Sequence, residues 1–515
     1  MPRISESKVL FIAIAGTFMV ILDQTIMNTA LPHIMAVFNE TADRAQLVIS
    51  AYLMAAAITT PTAAFLVERF GIKRVYLFAQ AGFLFGSILC GVSWNIGSLI
   101  SFRVLQGLCG GLLSPLAMTF LFTTVPPEDR GEAMALFGIP MMLAPAIGPT
   151  LGGYLVDSWS WRMCFYVNVP VVILAILMGL AWIEDTPTSD VAFDYKGFTL
   201  AAVGFSALLY ALSYAPTWHW DDWRIISLIS VGAVCILAWI LVELNVKRPL
   251  LDLHMFKRFG YAMGIGLTFV TTIGLYSLVF LMPLFLQTLR GFTAMLSGLM
   301  ILPQAIGAMV TMPLAGRLYD RLGPRVPAAI GLAMTGFATL ALQMLDLNMP
   351  DNTLRMILFI RGMGMGFATM PIMTYALSSV PQRMTAQASS LLNVCRTIFG
   401  SLGIAFFATM LDTFQKQNVA SIIQTVTPDS SVAMHWLSYV QTILMQMGFN
   451  LQIAHNEAIT FLYQYVSLRA DITAFQMEYV ISAVIVLLGV IPAMFLPLGR
   501  IKKTNGTTGV AVMAD

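Results

Sequence analysis

Ala64-Phe-Leu-Val-Glu68-Arg69-Phe-Gly71-Ile-Lys73-Arg74 and Gly316-Arg-Leu-Tyr-Asp320-Arg321-Leu-Gly323-Pro-Arg325 are two copies of one pattern. An acid, an arginine, a glycine and a second basic residue recur at the same spacing, offset by 252 positions. Around them the chain is almost uncharged. Of 515 residues, 58% are hydrophobic and only 10% charged, against about 25% charged in a soluble globular protein. So few charges cannot cover the surface of a soluble chain this long, and the hydrophobicity is too high for a disordered one. Composition leaves a polytopic membrane protein, with each copy of the pattern in a loop between two spans.

A spanning helix needs about 20 mostly apolar residues. Such windows fall near 9–31, 46–67, 75–93, 98–123, 131–156, 163–183, 197–215, 225–245, 261–287, 296–318, 326–346, 354–378, 386–411 and 477–499, fourteen in all. The segments are too long for strands, whose edges would also leave backbone groups unpaired in lipid. The first window is too long for a signal peptide and has no small-residue cleavage site, so it reads as a span. Basic residues set the orientation. With a cytoplasmic N-terminus, eighteen of the 28 Lys and Arg face the cytoplasm, among them Arg3, Lys8, Lys247, Arg248, Arg500, Lys502 and Lys503. Seven face outward, and Arg103, Arg361 and Arg396 lie inside spans. Both termini are therefore expected in the cytoplasm, with Trp218, Trp220 and Trp223 at the outer interface. Residues 412–476 are expected to form a long outer connection with apolar-periodic stretches at 434–447 and 458–468. That connection reads either as a lid or docking surface, or as a helical loop lying on the membrane.

Two further correspondences keep nearly the same offset. Arg103 in the fourth span matches Arg361 in the twelfth, and Val125-Pro126 matches Val380-Pro381. The chain thus reads as an all-α membrane protein of two six-helix bundles, residues 1–186 and 256–515, with two inserted helices and a linker at 187–255. Parallel repeats about an axis along the membrane normal are a plan of secondary transporters, with the substrate site between the halves.

The repeated loop resembles the loop signature of the major facilitator superfamily. Arg103-Val-Leu-Gln106-Gly107, Gly148-Pro149-Thr-Leu-Gly152-Gly153 and Leu22-Asp23-Gln-Thr25-Ile-Met-Asn28-Thr-Ala-Leu31-Pro32 together resemble its fourteen-span drug:proton antiporters. Trp161-Arg162, Phe165, Asn168-Val-Pro170 and Pro249-Leu-Leu-Asp252 with Phe256-Lys257-Arg258 extend the match. The long connection before the last span is similar to that of EmrB-type multidrug exporters. The resemblance implies the major facilitator fold and export of amphipathic, often cationic, compounds across the cytoplasmic (inner) membrane. It implies no cofactor, the proton gradient supplying the energy. In a cell with an outer membrane it implies a periplasmic adaptor and an outer-membrane channel as partners. An exporter of one dedicated metabolite, siderophore or lipid-like molecule on the same scaffold is the alternative. Ala64 and Glu68 depart from the family's Gly and Asp, which the second copy keeps as Gly316 and Asp320. Close packing is accordingly expected at the second loop more than at the first.

A carboxylate in hydrocarbon marks a functional site. Asp23 lies eight residues inside the outer end of its span and Arg103 five, about 12 Å and 8 Å deep at 1.5 Å per residue. Hardly any other acid is expected inside the spans. Asp23 is expected to bind and release the coupling proton, with Arg103 lowering its proton affinity. A permanent ion pair joining the first and fourth spans is the other reading. Gln24, Asn28, Gln106, Arg361, Asn393 and Arg396 either line the cavity or hydrogen-bond neighbouring helices. Glu68 and Asp320, with Arg69, Gly71, Lys73, Arg74, Arg321, Gly323 and Arg325, are expected to latch the halves at the cytoplasmic face. The acids would pair there with basic groups and helix N-termini; basic residues that serve orientation alone are the plainer reading. The Pro145, Gly148, Pro149, Gly152 and Gly153 series resembles the exporter signature, and physically allows kinks and close helix approach. Met363, Met365, Met370 and Met373 suit a promiscuous apolar surface or serve as filler.

Other classes find little support. A net charge of +2 points to no nucleic acid; lipid and small amphipathic substrates are the expected partners. The five cysteines fall in apolar stretches with no C-x-x-C spacing, so neither disulfides nor a metal site are expected. Five scattered histidines, and no H-E-x-x-H, G-x-S-x-G or G-x-x-x-x-G-K-[ST] motif, argue against an enzyme or an ATP-driven pump. The repeat plan disfavours a sensor or a channel.

Overall fold

In lipid each backbone N–H and C=O must be paired within the protein, so apolar windows of this length fold as helices. The computed structural model describes residues 6–184, 186, 188–246, 249–425 and 430–498. Among the described residues, fourteen helical spans are long and apolar enough to cross a membrane. They are α1 (Leu10–Phe38), α2 (Arg44–Phe70), α3 (Ile72–Gly91), α4 (Ile96–Thr124), α5 (Pro127–Ser158), α6 (Met163–Trp182) and α7 (Tyr195–Trp218). There follow α8 (Trp223–Asn245), α9 (Phe259–Thr288), α10 (Ala294–Leu322), α11 (Arg325–Met344), α12 (Asp351–Ser378), α13 (Gln382–Gln424) and α14 (Leu451–Met494). An even number of crossings brings both ends to one face, here termed the terminal face; the opposite one is the distal face. Arg3, Lys247, Arg248, Arg500, Lys502 and Lys503, counted above for orientation, lie outside the described residues.

Helices α1–α6 pack as one bundle and α9–α14 as another, joined chiefly where α10 runs along α5 and α13 meets α4. The inserted α7 and α8 pair with each other, and α7 bridges the halves by packing on both α2 and α13. At the distal end Trp220 Nε1 donates to Thr409 Oγ1 of α13 at 2.7 Å. The two repeated loops end their helices alike. Gly71 and Gly323 have φ of 84° and 82°, a left-handed region that glycine enters without strain.

The expected outer loop at 412–476 is corrected by the structure. One helix runs unbroken from Thr385 to Thr425, and another from Leu451 to Leu488. A separate helix, Ser431–Gln446, lies between them. Its Leu437 and Leu444 pack with Ala454 and Ala458 of the α14 extension. Hydropathy falls where α13 and α14 leave lipid, but backbone hydrogen bonding does not, and an i,i+4 pair between Lys416 and Asp412 (2.6 Å) fits the helical surface. The part of α14 ahead of the apolar window at 477–499, about 26 residues from Leu451, is about 39 Å long at 1.5 Å per residue.

Candidate functional site

Asp23 and Arg103, expected at similar depth, meet. Arg103 Nη1 donates to Asp23 Oδ2 at 2.5 Å, and both side chains are fully buried. The carboxylate also accepts from Asn168 Nδ2 (2.7 Å) and Gln106 Nε2 (3.1 Å). Arg103 also donates from Nη1 to Gln106 Oε1 (2.8 Å) and from Nε to the Val48 carbonyl (3.1 Å), and lies over the Tyr52 ring. Ser87 Oγ accepts from Gln106 at 2.8 Å. Four spans, α1, α3, α4 and α6, thus contribute side chains to one carboxylate cluster, and α2 supplies a carbonyl. Such a cluster holds because the charged oxygens of Asp23 are matched by donors, while Asn168 Oδ1 and the Tyr52 hydroxyl have no partner among the described residues. Sequence reading missed Asn168 and Ser87; polar residues on otherwise apolar spans were the available signal.

A cavity of about 320 Å³ separates the halves. Its walls come from the distal halves of α1, α9 and α10, from the middle of α5, and from Met365 of α12. Asn28 lines it as expected. Thr25, Gln287, Ser297 and Gln304 line it too, and none of these was singled out from sequence. The other expected lining residues sit elsewhere. Gln106 is enclosed in the Asp23 cluster. Gln24 is half-buried beside Tyr52. Asn393 accepts from Ser114 Oγ at 2.9 Å, joining α13 to α4. Arg396 lines a separate small pocket with Thr268, Thr271 and Met373. Arg361 is fully buried and pairs with neutral groups alone: Thr339 Oγ1 (2.8 Å), Gln304 Oε1 (3.1 Å), the Gly274 carbonyl and, more distantly, Ser277 Oγ. The second half therefore repeats the arginine of the first without its acid. Of the four methionines on α12, Met365 faces the main cavity and Met370 packs where Gly138 leaves room.

The exporter-like series on α5 shapes the same wall. Pro145 and Pro149 line the cavity, while Gly148 and Gly152 admit Thr25 and Thr29 of α1. Gly153 has open space beside it.

At the terminal face the halves touch through the second loop. Asp320 accepts from the backbone N–H groups of Gly131 (3.0 Å) and Glu132 (3.1 Å), where the α-helical part of α5 begins at Arg130. A carboxylate is well placed at a helix N-terminus. Arg317 adds an ion pair to Glu132 at 3.1 Å. Glu68 does not reach across, contrary to expectation: its Oε1 accepts from Ser189 Oγ at 3.2 Å, in the connection between α6 and α7. Arg69 follows it to the Val191 carbonyl (2.8 Å). Arg325 donates to the Leu496 carbonyl within its own half. Lys73 is half-buried, and Arg74 and Arg321 are exposed.

The expectation of hardly any other intramembrane acid also needs correction. Glu243 of α8 and Glu478 of α14 are fully buried. Glu243 accepts from Trp239 Nε1 at 2.9 Å, whereas both Glu478 oxygens lack a partner among the described residues. Each stood at the edge of a hydropathy window, where an acid reads as a loop residue.

Two helical bundles, a cavity between them and a closed contact at one face fit the plan of a transporter. The chain belongs to the Major Facilitator Superfamily, whose profile matches residues 13–404. It is 32% identical over 493 residues to the MFS-type transporter YhcA of Bacillus subtilis (strain 168), covering 95% of this chain and 92% of that one. It is 30% identical over 496 residues to a multidrug resistance protein B homolog of Mycobacterium tuberculosis (strain H37Rv), covering 94% and 89%. The solved structure of the proton:xylose symporter XylE, bound to 6-bromo-6-deoxy-D-glucose, has the same fold. The two superpose with a TM-score of 0.57 at 13% identity over 96% of each chain.

Proposed function

We propose that this transporter exports amphipathic drugs or other small toxic compounds in exchange for protons, by alternating access across the cytoplasmic membrane. Both termini then lie in the cytoplasm, the terminal face is cytoplasmic, and the cavity faces outward. The observation that carries the reading is the closed Asp23 cluster. A carboxylate held at zero exposure by Arg103, Gln106 and Asn168 must open to exchange a proton, and opening means moving four spans of one half. Proton binding weakens the pair with Arg103, which couples charge to that movement. The mycobacterial relative's name supports multidrug export, and the basic-residue asymmetry supports the orientation.

Asp320 on the start of α5 is the latch that holds the outward-facing state. The extension of α13 and α14 is the surface offered to a periplasmic adaptor and outer-membrane channel in a cell with two membranes. A dedicated exporter of one metabolite is the second reading, favoured by a cavity wall without a single carboxylate.

Dye efflux from a pump-deficient strain expressing this chain, with and without a protonophore, tests the energy source. Efflux is expected to stop when the gradient collapses; efflux indifferent to the protonophore overturns proton coupling. In proteoliposomes Asp23→Asn is expected to lose gradient-driven transport but keep substrate counterflow. An Asn variant that still accumulates dye against a gradient would make the pair a structural tie.

A further inference from the structure

We propose that the cavity selects uncharged amphipaths bearing hydrogen-bond acceptors, and that Gln304 and Ser297 on α10 read those acceptors. The proposal rests on the cavity's being the substrate site. Its wall contains no Asp, Glu, Lys, Arg or His. The nearest acid stands behind it: Asp23 is two residues from the lining Thr25, about 200° round the helix, and its oxygens are taken by three donors. A cation entering here would lose its hydration and find no counter-charge, and an anion would fare no better, because Arg361 lies behind Gln304.

Gln304 is 7% exposed, and its Oε1 accepts from Arg361 Nη1. A guanidinium only donates, so this bond fixes the amide's orientation and leaves Nε2, a donor, for the cavity. Ser297 stands seven residues earlier, on the same face of α10. It is 1% exposed, and its hydroxyl has no partner among the described residues. An unpaired hydroxyl in an otherwise apolar setting is costly unless a ligand satisfies it. The two groups are about 10 Å apart along the helix, a span suited to a flat molecule with an acceptor at each end. Asn28 and Gln287, both exposed, face the cavity with amides free to turn either way. Met141, Met142 and Met365 complete the apolar wall and adapt to varied shapes.

The test uses cells lacking their own drug pumps, expressing the full chain, and two probes of similar bulk. Nile red is uncharged and carries carbonyl and ether acceptors; ethidium is a cation. The wild type is expected to clear Nile red and to leave ethidium. Ser297→Ala is expected to raise the KM for Nile red about two- to tenfold, the effect of one lost hydrogen bond, with the maximal rate unchanged. Gln304→Glu keeps a partner for Arg361 but turns the cavity donor into an acceptor, and should raise KM at least as much. Asn28→Asp adds a carboxylate to the wall and should gain ethidium efflux. Equal clearance of both dyes by the wild type, or unchanged KM in both α10 variants at matched membrane levels, overturns this selectivity while leaving export standing. Clearance of neither dye by protein present in the membrane overturns multidrug export, and the selectivity with it, in favour of the dedicated exporter.

Discussion

Ala64 and Gly316 occupy equivalent places in the two loops, and one methyl group separates their surroundings. A Cβ at Gly316 would fall 2.6 Å from the Gly131 carbonyl oxygen and 2.8 Å from Glu132 Cα, so α10 and α5 touch backbone to backbone. That approach is what lets the Asp320 carboxylate reach the first N–H groups of α5. Ala64 instead borders a cavity of about 650 Å³, with residues 382–387 of α13 on its other side. Glu68, one methylene longer than Asp320, folds back onto Ser189. The acid latch of the terminal face is therefore one-sided: on the other side the halves meet through neutral groups, with Gln382 Nε2 donating to the Thr123 carbonyl at 3.4 Å, and the two departures from the family pattern fall there. Asp320→Ala removes two charge-assisted hydrogen bonds, each worth roughly 1.5–3 kcal/mol, and should shift the equilibrium away from the outward-open state by about tenfold or more. The readout is labelling of Asn28→Cys by a membrane-impermeant maleimide, in a chain whose half-buried Cys235 and Cys395 are replaced by serine. Labelling is expected to slow in Asp320→Ala and to stay unchanged in Glu68→Ala. Equal slowing in both would mean the latch is not one-sided.

At the scale of the helix, hydropathy windows found every span because burial in lipid is what made those segments apolar. They misplaced the ends of α13 and α14, since a helix continues into water wherever its backbone bonds and a packing partner persist. The partner here is the helix Ser431–Gln446, held by Leu437 and Leu444 and by Trp436 stacked on Tyr465. Leu444→Asp should cost this contact about 3 kcal/mol and speed chymotrypsin cleavage at Trp436 or Tyr439 by at least roughly tenfold. Dye efflux in the absence of any partner protein should not change. Cleavage at the wild-type rate would show that the helix is held by something other than this seam. The same limit governs the site. Depth along a helix was legible, so Asp23 and Arg103 were paired correctly. Which way a side chain points round the helix is not, so the sequence leaves Gln106 and Arg361 between lining the cavity and bonding neighbouring helices; they do the second, and Thr25 and Gln304 line the cavity.

For the whole molecule, the decisive asymmetry lies between the two arginines. Arg103 faces a carboxylate, and Arg361, its repeat, faces only hydroxyls, an amide and a carbonyl. A proton can change the charge of the first cluster, whereas none of Arg361's hydrogen-bond partners is an acid, and the second half's own buried acid, Glu478, has no partner among the described residues; on the proposed coupling, the Asp23 cluster is the pair a proton would reset. Ser277 marks where the missing acid would stand: its Oγ is 3.5 Å from Arg361 Nη2 and accepts from Ser482 Oγ at 2.7 Å. Ser277→Asp would give Arg361 a partner with a second donor already in place. A buried pair of this kind roughly breaks even against the neutral groups it replaces, so the melting temperature should move by only a few degrees, on the order of 1 kcal/mol in a chain this size. Coupling should change far more. With an acid beside each of the two buried arginines, more protons are expected to be exchanged per substrate, read as a shift of the reversal potential in proteoliposomes at fixed pH and substrate gradients. A folded Ser277→Asp protein with the wild-type ratio would show that an acid beside a buried arginine is not sufficient to couple, and that the first half owes its role to the surrounding Asn168 and Gln106.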